Sequence, residues 1–331
     1  MPLLLATSRE TVPPVSTSIW FWVAFHIGVF IALFVDLAQF KHRGRALTMR
    51  AATRRSILWV VLSLAFNLLV WHLKGADKAL EFFTGYIIEY SLSVDNIFVF
   101  VLIFAYFRVP PIAQHRVLVW GILGALIMRG IMIWLGVALV SRFHWVLYLF
   151  GLFLLITAIR MCFGHNEKEF GDTWVMKLCR RLVPVTHEYH GEHFKAKVDG
   201  RWMLTPLALV LIVIDVMDLI FAVDSIPAVF AITTDQFIIY TSNVCAILGL
   251  RSLYFLLAGL MDRFVYLKTG LAFVLGFVGI KMLTADFFHL PNWVSLLVIV
   301  TILVITITVS MFATRDVSAP RPPPDVPAPP E

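Results

Sequence analysis

The residues best suited to chemistry lie inside segments that are otherwise apolar. Glu89-Tyr90-Ser91-Leu92-Ser93-Val94-Asp95-Asn96 is one such place, and Asp218-Leu219-Ile220-Phe221-Ala222-Val223-Asp224-Ser225 is the other. Carboxylates, an amide and hydroxyls are hard oxygen donors, and neither motif contains a thiolate or a histidine. Such a set suits Mg²⁺, Ca²⁺ or Mn²⁺ better than Cu⁺, and Zn²⁺ fits it less well. The acids match at one offset, since Glu89 to Asp218 and Asp95 to Asp224 are both 129 residues apart. The candidate metal ligands are therefore Glu89, Asp95, Asn96, Asp218, Asp224 and Ser225.

On a helix, Glu89, Ser93 and Asn96 share a face, while Asp95 points about a third of a turn away. Asp218 and Ser225 share a face in the second motif, with Asp215 one turn before Asp218. Pro227 leaves the Val223 carbonyl without its usual partner. A break there would let a carbonyl oxygen join the carboxylates and swing Asp224 toward the same centre. Phe98 stands at the equivalent place in the first motif, so no matching break is expected. Asp36, Ser93, Asp215, Arg129 and Arg251 are candidates for supporting or proton-relay roles. Single acids such as Asp36 and Asp215 serve equally well as hydrogen-bonding groups between helices, and the two arginines read as structural partners of the acids. Six acids in spans (Asp36, Glu89, Asp95, Asp215, Asp218, Asp224) would cost on the order of 15–20 kcal/mol if ionised and unpaired, at about 2.5–3.5 kcal/mol each. The arginines offset part of that. A bound dication or protonation must supply the rest, which is a route to metal/proton exchange.

The elements that hold these residues follow from composition. The chain has 331 residues, 60% hydrophobic and 15% charged, with a mean hydropathy of +0.86. A soluble domain of that size needs far more polar surface. Apolar segments of about 20 residues, each enough to cross the hydrocarbon, fall at 19–40, 56–73, 82–107, 117–140, 144–163, 204–232, 236–260, 266–288 and 291–313. The expected fold is an all-α polytopic membrane protein of about nine transmembrane helices. The net charge of +6 does not signify nucleic-acid binding. Lys41, Arg43, Arg45, Arg50, Arg54 and Arg55 cluster between the first two spans, where they read as a positive-inside signal. That places the N-terminus outside and the C-terminus in the cytoplasm.

The expected organisation has an extracytoplasmic tail (1–18) and two helices joined by the basic loop (19–80). A three-helix repeat (81–163), a cytoplasmic loop (164–203) and a second repeat (204–288) follow, then a last helix (289–313) and a Pro-rich, disordered cytoplasmic tail (314–331). No cleavable signal peptide is evident, and Cys162, Cys179 and Cys245 have no metal-motif spacing. In the 164–203 loop, His187, His190 and His193 are spaced to meet on a helical face and bind metal, but Gly191 interrupts such a helix and a solvated segment is the plainer reading. No nucleophile–base pair or nucleotide-binding loop points to an enzyme. The expected partners are a divalent cation, protons and the lipid bilayer, with no nucleic acid and with the loop as a place for protein partners.

The repeat extends beyond the motifs. Ile122-Leu123-Gly124 corresponds to Ile247-Leu248-Gly249, Arg142-Phe143 to Arg263-Phe264, and Arg160-Met161 to Lys281-Met282. Three crossings per copy make the two copies enter the membrane from opposite sides, which is an inverted-topology repeat. Duplication retained only for folding explains the shared apolar pattern, but not acids kept at matching depth.

At these residues the sequence resembles the TerC family of bacterial membrane proteins, in its Alx-like branch. The resemblance is carried by Glu89 to Asn96, by Asp218 to Ala228, and by Thr241-Ser242-Asn243 with Ala246 to Phe255. Leu182 to Gly191 and Asp36 also fit, whereas Val216-Met217 replaces a polar or aromatic pair expected before Asp218. The resemblance implies manganese efflux across the cytoplasmic membrane, links to alkaline-pH and tellurite responses, and a LysE-like architecture of repeated three-helix halves. A stress-response membrane scaffold recruiting partners through the 164–203 loop is the alternative from a different class.

Overall fold

A bilayer offers backbone N–H and C=O groups no partners, so a chain this apolar must satisfy them within helices. The computed structural model of the protein is built almost entirely that way; it describes residues 18–41, 49–143, 145–163, 186, 191, 193–198, 201–258, 266–288 and 290–315. The helices are α1 (Ile19–Lys41), α2 (Met49–Lys74), α3 (Ala76–Tyr106), α4 (Pro111–Arg142) and α5 (Val146–Phe163). A hairpin of β1 (Lys195–Val198) and β2 (Arg201–Leu204) precedes α6 (Pro206–Phe230). After it come α7 (Gln236–Leu248), α8 (Leu250–Leu257), α9 (Leu267–Leu283) and α10 (Asn292–Arg315).

Seven helices among the described residues are long and apolar enough to cross a membrane, and α7 with α8 makes an eighth candidate bent by 42°. α9 occupies the segment expected to span at 266–288 but is 17 residues long. The expected single span over 236–260 is two helices hinged at Gly249. Conversely, the break expected at Pro227 does not occur, for α6 runs through it to Phe230. The proline costs α6 only one backbone bond, and Pro227, Ala228, Val229 and Phe230 are all buried. Packing around the last turn outweighs that loss. Arg50, Arg54 and Arg55 belong to the first turns of α2 rather than to a loop. The 164–203 segment contributes the antiparallel hairpin, paired from Lys195 with Leu204 to Val198 with Arg201. His187, His190, Cys179, Arg43, Arg45 and Arg263 lie outside the described residues, as do the two chain termini.

Short signals set the element ends. Gly75, at φ 91, is the single residue between α2 and α3. That backbone region is open to glycine and strained for other residues. Pro111 starts α4 and Pro206 starts α6, at first-turn positions whose N–H has no helical partner. The Thr205 hydroxyl accepts from Ala208 N at 3.4 Å, and the Asp235 carboxylate accepts from Phe237 N and Ile238 N at 3.0 and 3.3 Å. Each satisfies donors left open at a helix start.

The helices pack in crossed pairs, α3 on α7, α4 on α6 and α5 on α9. At the α5–α9 crossing the backbones nearly touch: a Cβ on Gly279 would lie 2.8 Å from the Gly151 carbonyl oxygen. One apolar cluster joins the α3–α4 turn to the start of α6 and to α8, and a second joins α5, α9 and the end of α6. A third holds α1 and α2 against α3 and α7. Large apolar side chains such as Phe34, Trp134, Leu149, Phe273 and Ile305 face outward. In water that surface would be a liability, whereas in a bilayer it is the lipid-facing belt.

Candidate functional site

The amphipathic face expected on α3 is present, and it points into the bundle. Glu89 and Ser93 are 0% exposed and Asn96 3%. On α6, Asp218 and Ser225 are both buried at 2% exposure, and Asp215 lies one turn before Asp218, partly buried. Asp95 lies within α3, but its side chain falls outside the described residues.

Arg129 of α4 joins the two motifs. Its guanidinium, 1% exposed, is ion-paired to Glu89 through Nη1. It grips Asp218 with two bonds, Nε to Oδ2 at 3.2 Å and Nη2 to Oδ1 at 3.0 Å. Nη1 also donates to Asn243 Oδ1 on α7 at 3.4 Å. Four helices thus meet on one cation. Two carboxylates and one guanidinium leave this triad at a formal charge of −1. On the two acids' own helices and on α7, Glu89 Oε2, Ser93 Oγ one turn after Glu89, Asn243 Nδ2, and Ser225 Oγ two turns after Asp218 are buried without a hydrogen-bond partner among the described residues. Unmade bonds of that kind each cost about 1–3 kcal/mol, and Glu89 Oε2 and Asn243 Nδ2 belong to residues that touch Arg129 directly.

The remaining candidates divide between this centre and other places. Asp224 Oδ1 accepts from Thr157 Oγ1 of α5 at 3.3 Å. With Pro227 accommodated in an unbroken helix, nothing swings Asp224 toward Glu89 and Asp218. Asp215 packs against the glycine face of α4, where a Cβ on Gly124 would come within 2.9 Å of its Oδ1. Asp36 of α1 pairs with Arg251 of α8, and Arg55 of α2 stands 3.8 Å from its other oxygen. Both arginines therefore do partner acids, Arg129 across the two motifs and Arg251 at Asp36. A cavity of about 20 Å³, room for about one water molecule, has mainly apolar walls to which Asp218 and Arg251 both contribute. Among the described residues, no three of His, Cys, Asp and Glu converge on a common metal position.

A third polar group brackets the bundle. Glu81 of α3 pairs with Lys78 at 2.7 Å and accepts from Thr233 at 2.5 Å, while Lys74 of α2 pairs with Asp235 at 3.3 Å. Arg55 and Lys74 sit near opposite ends of α2, roughly 28 Å apart at 1.5 Å per residue. Glu89 lies two turns into α3 from Glu81, so the triad is well inside the apolar zone. Asn243 and Thr157 were not among the residues singled out from sequence as site candidates. The run Thr241-Ser242-Asn243, polar and buried within an apolar helix, was the available signal for the first. For Thr157, a lone hydroxyl on an apolar segment, there was none.

These features define an integral, multi-pass helical membrane protein with a buried charged centre. The chain belongs to the TerC family: the family model described as integral membrane protein TerC family matches residues 74–318. A protein of Escherichia coli K12, provisionally named membrane-bound redox modulator Alx, is 49% identical over 299 residues, 87% of this chain and 93% of that one. An uncharacterised membrane protein of Myxococcus xanthus is 46% identical over 318 residues, covering 94% of this chain and 99% of its own. A third, from Rickettsia bellii, is 37% identical over 291 residues, 88% of this chain and 96% of its own. No solved structure matches the chain.

Proposed function

We propose that the protein exports a divalent metal cation, Mn²⁺ foremost, across the bacterial cytoplasmic membrane in exchange for protons. The observation that carries this reading is the buried meeting of Glu89 and Asp218, one acid from each motif, at Arg129, with Glu89 Oε2 left without a partner among the described residues. Buried ionisable groups inside membrane bundles mark substrate and ion pathways. In this reading Glu89, Asp95, Asn96, Asp218, Asp224 and Ser225 supply the ligands in turn as the halves move, and Asp224 leaves Thr157 to do so. The protein acts as a carrier and not as an enzyme, with its N-terminus outside and its C-terminus in the cytoplasm.

The crossed packing supports an inverted repeat of α3–α5 and α6–α9 within a nine-span bundle. A twofold relation between those halves exchanges the pair α3–α7 with the pair α6–α4, and returns α5–α9 to itself. All three are major contacts of the fold. Transporters built this way bind substrate near the midplane, at the interface of their halves. The name carried by the Alx relatives points to redox instead. A thiol role here would rest on Cys162, exposed on α5, and Cys245, buried on α7, the free cysteines among the described residues.

The deciding experiment is flux of Mn²⁺, Ca²⁺, Mg²⁺ and Zn²⁺ in reconstituted vesicles with an imposed pH gradient. Mn²⁺ movement that responds to the gradient, and that Glu89→Gln and Asp224→Asn abolish, is the expected result. Absence of flux for all four ions with the intact protein overturns the reading.

A further inference from the structure

The export reading supplies the frame here, and the residue in question is one it leaves without a role. We propose that Arg129 is a tethered rival of the transported cation, which must release Glu89 and Asp218 before a dication takes them, and that Asp215 receives it. The guanidinium occupies one oxygen of Glu89 and both oxygens of Asp218. A dication bound to the same carboxylates would face a positive charge at contact distance where little water screens it. It would also turn the triad from −1 to +1. Unlike a lysine or histidine, a guanidinium does not give up its proton inside a protein. Arg129 can therefore yield the acids only by moving.

The structure offers a place for it to go. Asp215 precedes Asp218 by one turn on the same face of α6, and its Oδ1 is buried with no hydrogen-bond partner among the described residues. That carboxylate rests against α4, the helix that carries Arg129, in a gap that Gly121 and Gly124 leave open. Transfer of the guanidinium to Asp215 would produce two neutral units. Arg129 would pair with Asp215, and the dication with Glu89 and Asp218. Glu89 Oε2 and, one turn on along α3, Ser93 Oγ are the unpartnered buried oxygens available to complete the ion's surroundings. When the ion leaves, Arg129 returns to Glu89 and Asp218; counted with Asp215, the three acids then keep a formal excess of two negative charges, which protons taken up in exchange would neutralise.

The test is Mn²⁺ binding to the purified full chain in lipid nanodiscs, measured by calorimetry at one pH. With the rival removed, Arg129→Gln should bind Mn²⁺ more tightly by about tenfold, the equivalent of one charge-assisted hydrogen bond no longer competing. Asp215→Asn, which removes the receiver, should bind about tenfold more weakly by the same reasoning. In vesicles Arg129→Gln should exchange Mn²⁺ more slowly than wild type despite its tighter binding. If Arg129 merely cross-links helices, Arg129→Gln binds no better than wild type, and that result overturns the proposal, as does unchanged affinity in Asp215→Asn. Should Arg129→Gln fail to fold, Arg129→Lys keeps the charge but loses the two-pronged grip on Asp218, and it too must bind more tightly than wild type. Wild-type protein that binds none of the four dications would instead refute the export reading itself.

Discussion

The charge balance at Arg129 can be tested by removing its acids one at a time and then together. Glu89→Gln leaves the guanidinium with both Asp218 bonds, at 3.2 and 3.0 Å, and removes the excess negative charge of the triad. One charge-assisted bond becomes a neutral one, for a cost of about 1 kcal/mol. Asp218→Asn weakens two such bonds and should cost about 2 kcal/mol. In each single variant one carboxylate still compensates the buried cation. The double variant leaves a guanidinium that is 1% exposed with neither. An uncompensated buried charge costs about 3–5 kcal/mol, and a guanidinium this buried belongs in the upper half of that range. The double variant should therefore exceed the ~3 kcal/mol sum of the singles by about 1–2 kcal/mol. Denaturant unfolding in detergent, followed by tryptophan fluorescence, reads this directly. Additivity within about 0.5 kcal/mol, as for distant independent sites, would refute the triad as a coupled unit.

Three further outcomes follow from the packing and the caps. Gly124→Ala places a methyl group 2.9 Å from Asp215 Oδ1; it should destabilise by about 1–3 kcal/mol in the same unfolding assay, and it should weaken Mn²⁺ binding if Asp215 serves Arg129. Gly279→Leu drives a side chain into the Gly151 carbonyl and the Leu155 backbone, so it should reduce yield and melting temperature more than Gly28→Leu, where a Cβ meets nothing within 4 Å. Asp235→Ala removes two capping bonds and the ion pair with Lys74. About 0.5–2 kcal/mol should be lost with the cap, and the part due to Lys74 should shrink as salt is raised.

What the chain made legible by itself was whatever depends on local composition and period. Apolar length marked it as a polytopic membrane protein, and the spacing of Glu89, Ser93 and Asn96 placed them on one face of a helix, which the fold buries. The constant offset between Glu89–Asp95 and Asp218–Asp224 singled out the acids. Only the tertiary structure decided who holds them. Arg129 is 40 residues from Glu89 and 89 from Asp218, so which acids share its guanidinium depends on how α3, α4 and α6 cross. The same holds for Asp224, whose partner Thr157 comes from α5, and for Asp36, which Arg251 reaches from α8. The site of the helix break was also decided in three dimensions. Proline at 227 suggested a break by its covalent chemistry, yet close packing around the end of α6 keeps that helix whole, and the bend falls at Gly249 instead. Helical periodicity is written residue by residue, but the pairing of buried charges is set by distances between helices, and those exist only once the bundle has closed.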